Sequence, residues 1–138
     1  MENAFIFDFD GTIAETIPLS LAAIRAAYAD NGLPEPSKRE VVSNFGANEL
    51  GMFAKMTPER AESLFESYVN QYRALHAKYS PEPFDGIGGI LRKIKGAGWK
   101  LGLVTGKHPR TAEASLGFYG IRDMFDGIRC GGLNGSVK

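Results

Sequence analysis

The sequence predicts an α/β fold, a parallel sheet with an all-helical insertion after its first strand, on three observations. Phe5-Ile-Phe-Asp-Phe-Asp-Gly-Thr12 is an apolar run ending in two acids, a glycine and a threonine, the pattern of a buried strand that feeds a sharp turn. The stretch from residue 15 to 81 carries helical periodicity throughout. From residue 82 onward helix, strand, helix and strand alternate, as in parallel β-α-β units. The expected organisation is therefore a core of residues 1–14 and 82–138, with residues 15–81 as a helical cap.

Each element has its own local signal. Ile17, Leu21, Ile24 and Tyr28 recur at helical spacing, with Pro18 in the first turn and Gly32 as a stop. Ser37 and Glu40 form a capping box ahead of Val41, Val42 and Phe45, and a short helix is expected from Glu49 to Met56. Thr57-Pro58 reads as an N-cap with proline in the first turn, opening a long helix striped by Leu64, Tyr68, Tyr72, Leu75 and Tyr79. That stripe is expected to be core. His76 beside it has no second ligand at metal spacing and is read as structural.

Ser80-Pro-Glu-Pro83 breaks the helix and marks the expected hinge. Ile87, Ile90, Leu91 and Ile94 then predict a helix ending at Gly98, and Leu101 to Thr105 a strand ending in a hydroxyl residue and a glycine. Pro109 to Tyr119 reads as a helix closed by Gly120, Phe125 to Arg129 as a third strand, and Gly131 to Gly135 as a glycine-rich loop leading to Lys138.

Composition narrows the partners. Sixteen acidic and sixteen basic residues cancel, which argues against nucleic acid or an anionic membrane and favours a small ligand or another protein. With 43% hydrophobic and 23% charged residues the chain fits the soluble globular class. Cys130 has no cysteine to pair with in the chain, and no apolar run is long enough to span a bilayer, so a cytoplasmic location is expected.

The acids suggest chemistry. An aspartate beside a phosphate ester can attack phosphorus and carry the phosphoryl group as an acyl phosphate. Repulsion between anions calls for a divalent ion, and oxygen donors on a sharp turn suit Mg²⁺. With Asp8 as nucleophile and metal ligand, Asp10 is placed to protonate the leaving oxygen and then activate water. The hydroxyls of Thr12 and Thr105, with backbone amides near Gly11 and Gly106, would hold the phosphoryl oxygens.

Asp8-Phe-Asp-Gly-Thr12 resembles the first motif of the haloacid dehalogenase superfamily, and Leu103-Val-Thr-Gly-Lys107 its second. The helical insertion and its Pro-flanked return resemble the small cap of the phosphoglycolate phosphatase and β-phosphoglucomutase branch. The resemblance implies a Rossmannoid sheet and a Mg²⁺-dependent phosphatase of small phosphorylated metabolites. Asp8 would be nucleophile and metal ligand, Asp10 the acid/base with its backbone carbonyl on the metal, and Thr105 a phosphoryl ligand. A sugar-phosphate mutase and an inactive interaction module are the alternatives. Glu15 stands where the family often has Asp and is read as a hinge residue.

The family's third motif is a lysine just beyond the third strand, which falls on Lys138; Lys107 is the second choice for that cation. The fourth, an acidic loop that completes the metal site, has no counterpart here. In the family's sheet order the first strand is central, so here it becomes an edge. Phe5, Ile6, Phe7 and Phe9 are expected to be exposed along it, open to self-association or to another partner.

Overall fold

The computed structural model describes residues 3–133. A parallel sheet of three strands is ordered β1 (Ala4–Phe7), β2 (Lys100–Val104) and β3 (Gly127–Arg129), with Phe5 opposite Leu101 and Leu103 opposite Ile128. Between β1 and β2 lie helices α1 (Ile17–Asp30), α2 (Lys38–Ser43), α3 (Glu49–Met56), α4 (Ala61–Tyr79) and α5 (Ile87–Gly96); α6 (Pro109–Tyr119) connects β2 to β3. The α/β class and the expected strand order are those observed. β1 is the edge strand, with Phe5 44% and Ile6 70% exposed.

Two apolar clusters hold this arrangement. One joins Leu19, Ile24, Met52, Phe53, Leu64, Tyr68 and Tyr72 of the helical layer. The other joins Phe9, Ile13, Leu91, Leu101, Leu103 and Leu116 around the sheet. Each fully buried Leu, Ile or Phe contributes about 1.5–3 kcal/mol, so the helical layer rests on its own core as much as on the sheet.

Several boundaries differ from expectation, each because hydrogen bonds go elsewhere. The first strand stops at Phe7, since the Phe9 carbonyl accepts the Thr12 and Ile13 amides in a turn. That turn drives Phe9 into the core, where it is fully buried and no part of the exposed edge. Thr57 does not cap a helix. Its hydroxyl bonds Tyr28 Oη at 2.7 Å, and a 3₁₀ turn at Pro58–Arg60 precedes α4. α5 ends at Gly96, with Gly98 in the turn beyond, and Ile90 is 48% exposed although it shares the apolar pattern. β3 starts at Gly127 because the Phe125 amide is engaged by the Arg122 carbonyl of a 3₁₀ turn. Along α4 the stripe is buried through Tyr72 and emerges by Tyr79, which is 38% exposed. Ile17 at the start of α1 is likewise largely exposed.

The hinge region is tied across its two connections. Ser80 Oγ donates to the Glu15 carbonyl at 2.8 Å, and Tyr119 Oη donates to the Ser80 carbonyl at 3.0 Å. Nearby, the buried Ser115 hydroxyl meets Tyr72 Oη at 2.7 Å and His76 Nε2 at 2.9 Å, linking α4 to α6. His76 is thus a structural residue, as expected, with its ring stacked on Phe118.

Ser115→Ala should leave two buried polar groups without their partner and cost about 2–3 kcal/mol, read as a lower urea midpoint; an unchanged midpoint would show that the link carries no stability. Burial pushes the His76 imidazole below its ordinary 6.5, and His108 shifts the same way by the same cause. Their neutral forms therefore support the fold fully above about pH 6.5, and stability should fall as pH drops through that value. Melting temperatures between pH 7.5 and 5.5 test this, and His76→Gln should flatten the slope.

Candidate active site

The site forms where β1 and β2 end. Asp8 is the first residue past β1, exposed, and its Oδ1 accepts the Phe9 amide at 2.7 Å. Buried Phe9 anchors the turn from below. Gly11 closes it with φ of 74°, a left-handed conformation that strains other residues, and its amide donates to the Ala14 carbonyl at 2.8 Å. The two acids consequently line different spaces.

Asp8 lines an open depression with Ile6, Phe7, Val104, Thr105 and Gly106. Asp10 lines a second cavity of about 270 Å³ between the sheet end and the helical layer, together with Glu49, Met52, Tyr68 and Lys107. Gly106 borders both, so the spaces adjoin. The structure thus brings Asp8 and Thr105 to one side of a junction and Asp10 and Lys107 to the other. Thr105 is buried, and its Oγ1 accepts the Lys107 amide at 3.2 Å. Thr12, expected to bind phosphoryl oxygens, is exposed on the turn and lines neither space. Lys138 lies outside the described residues.

Lys107 stands against Asp10 and Glu49. It is 5% exposed, with Nζ 3.2 Å from Asp10 Oδ1, 3.7 Å from Glu49 Oε1 and 4.8 Å from the centre of the Tyr72 ring. Burial pushes the ammonium toward neutrality, but the oxygens of Tyr72, Asp10 and Glu49 outweigh it and hold its pKa well above the ordinary value. Asp10 Oδ1 also accepts the Thr16 hydroxyl, so the acid is fixed from two directions.

Glu49 was not singled out by the sequence. Its Oε2 accepts the His108 amide and its Oε1 the Thr111 hydroxyl, each at 2.5 Å, so a residue of α3 completes the amino end of α6. Asn48 acts beside it, donating from Nδ2 to the Gly131 carbonyl at 3.0 Å and from its amide to the Gly132 carbonyl at 3.1 Å. The first turn of α3 is close against this loop: a Cβ at Gly51 would collide with the Leu133 carbonyl. An acid opening a helix is a common signal, and nothing in the sequence says that it would cap a different one. Thr16 was missed for the same reason, since its bond to Asp10 comes from tertiary approach.

Among the described residues no group of three or more His, Cys, Asp or Glu side chains could hold a metal ion. Among the described residues no helix is long and apolar enough to cross a membrane.

Comparison with known proteins places this geometry. The family model described as haloacid dehalogenase-like hydrolase matches residues 5–138. The chain is 35% identical over 117 residues to the N-acetylmuramic acid 6-phosphate phosphatase of Pseudomonas aeruginosa, covering 80% of this chain and 51% of that protein. It is 32% identical over 118 residues to a phosphoglycolate phosphatase of Xanthomonas campestris, covering 83% and 53%. Among solved structures, CbbY from Rhodobacter sphaeroides in complex with phosphate superposes with a TM-score of 0.80 at 24% identity, covering 95% of this chain and 64% of that one. The chain therefore spans about half the length of the curated relatives it matches.

Lys107→Met should leave the Asp10 and Glu49 carboxylates facing each other without their cation and cost on the order of 3 kcal/mol. Urea unfolding at pH 7.5 checks this, with Lys107→Arg expected to recover part of the loss; a midpoint that does not move would show that the ammonium does not hold the fold together.

Proposed function

Because the chain belongs to the haloacid dehalogenase-like hydrolase family, we propose that it carries the nucleophile and acid/base of a Mg²⁺-dependent phosphatase acting on a small phosphate monoester. The observation that carries this reading is the pair of adjoining spaces, one with Asp8 and Thr105, the other with Asp10 and Lys107. They provide a place for a phosphoryl group and a place for its leaving group. The relatives named phosphoglycolate phosphatase and N-acetylmuramic acid 6-phosphate phosphatase support the same class of substrate.

In this reading an Asp8 carboxylate oxygen attacks phosphorus as the bond to the leaving oxygen breaks, giving an acyl phosphate on Asp8. Asp10 gives its proton to the leaving oxygen, and the alcohol departs into the Asp10 side of the junction. Lys107 then faces the Asp10 carboxylate at 3.2 Å and stabilises it. Asp10 next takes a proton from water, whose oxygen attacks phosphorus and breaks the bond to Asp8. Thr105 is positioned to hold a phosphoryl oxygen.

The residues present fit part of a Mg²⁺ site. The Asp8 carboxylate is exposed and has no cation against it among the described residues, and with the Asp10 backbone carbonyl it offers the hard oxygen donors this ion takes, water supplying other positions. When bound, the ion would offset repulsion between Asp8 and the phosphoryl oxygens.

The test is hydrolysis of p-nitrophenyl phosphate and small phosphate esters by the intact protein that carries this chain. Asp8→Asn should reduce turnover to background, Asp10→Asn by about 100- to 10,000-fold, and EDTA should abolish it reversibly. Undiminished turnover by Asp8→Asn would refute the assignment.

A further inference from the structure

Thr16 opens α1, and its side chain does not serve that helix. A threonine at this position ordinarily accepts an amide of the first turn, yet here its hydroxyl makes no such bond. Part of the turn is satisfied without it. The Ile17 amide donates to Glu15 Oε1 at 3.2 Å, and Pro18 has no amide hydrogen to offer. The Thr16 hydroxyl donates instead to Asp10 Oδ1. Thr16 is fully buried, and the carbonyl of its neighbour Glu15 is held by Ser80 Oγ, so the donor has a fixed origin.

Lys107 reaches the same oxygen. Its Nζ donates to Asp10 Oδ1 at 3.2 Å, so both hydrogen bonds that this carboxyl group accepts among the described residues end on one atom. Both donors are themselves enclosed. Thr16 is 0% exposed and the Lys107 side chain 4%, whereas the Asp10 side chain keeps 31% of its surface and lines the cavity between the sheet end and the helical layer. The two oxygens of the acid are therefore unlike. An oxygen that accepts from an ammonium and a hydroxyl serves as the carbonyl of a protonated carboxyl group, because the hydroxyl oxygen of such a group is the poorer acceptor. The proton then belongs to the other oxygen.

We propose that Thr16 is a positioning residue for proton transfer: with Lys107 it reserves Oδ1 of Asp10 as an acceptor and leaves Oδ2 to carry the proton. This rests on the phosphatase reading above and adds to it the atom that transfers the proton and the residue that orients it. In the first step the Oδ2–H bond breaks, the proton passes to the leaving oxygen, and the bonding pair stays on Oδ2. In the second, Oδ2 takes a proton from the attacking water. Oδ1 keeps the same two partners throughout, so the carboxyl group has no need to rotate between the steps. Without the Thr16 hydroxyl, Lys107 alone would hold Oδ1, and the group would be free to turn and place the proton on either oxygen.

The role is read from how the rate depends on the leaving group. p-Nitrophenolate departs without a proton, whereas an alkoxide needs one. In the intact protein Thr16→Val, which removes the hydroxyl and keeps the branched shape, should lower kcat/KM for propyl phosphate about tenfold or more and for p-nitrophenyl phosphate by no more than about twofold. Thr16→Ser, which retains the hydroxyl, should hold propyl phosphate to within about threefold of the natural protein. A purely structural role would slow both esters alike. Equal slowing by Thr16→Val therefore overturns the inference, as does a Thr16→Ser variant no faster than Thr16→Val. Asp10→Asn separates that failure from failure of the parent reading, since it should slow propyl phosphate far more than p-nitrophenyl phosphate. If Asp10→Asn slows neither ester, or the natural protein hydrolyses neither, the phosphatase reading itself falls, and the inference falls with it.

Discussion

The ammonium of Lys107 sits where the sheet, the helical layer and the loop after β2 converge, and most of the site takes its geometry from it. A buried cation is tolerated only with anionic or aromatic partners close by. Here they come from three parts of the chain: Asp10 from the turn after β1, Glu49 from α3, and the face of Tyr72 from α4. Satisfying one charge therefore fixes the relative position of elements that share no strand pairing. Thr105, two residues before the lysine, has its hydroxyl turned to the Lys107 amide, so the same short loop also shapes the open depression beside Asp8.

A division of labour follows from where β1 ends. Had the strand continued through Phe9, Asp8 and Asp10 would have pointed to the same face, as alternate residues of a strand do. The turn at residues 9–13 separates them instead, turning Phe9 inward as an anchor and leaving Asp8 at the open end. Asp8 is then left exposed, while Asp10 is held by Thr16 and Lys107 against the helical layer.

The sheet order and the two acids were legible because they rest on local signals: an apolar run with a glycine turn, a second short strand, and the alternation that follows. Lys107 was visible as a residue, but nothing in a linear sequence shows that Asp10 and Glu49 close around it; Lys138, the first choice for the third-motif cation, lies outside the described residues. Glu49 and Thr16 carried no usable signal, since each acts on a partner reached only after the helices pack. Phe9 was misplaced for a different reason. Alternation alone cannot show where a strand stops, and the stop decides which face the next aromatic takes.

Besides the Ser115 link between α4 and α6, the helical layer is tied to the sheet layer at two ends that differ in kind. At the Ser80 end, covalent connections and the Glu15 and Tyr119 hydrogen bonds hold the layers together. At the other end Asn48 and Glu49 grip residues 108, 111, 131 and 132 through hydrogen bonds alone. The geometry is that of a clasp opposite a pivot. Glu49 of the clasp is at once the acidic cap of α6 and a counter-charge of Lys107, so one side chain ties the helix end to the buried cation.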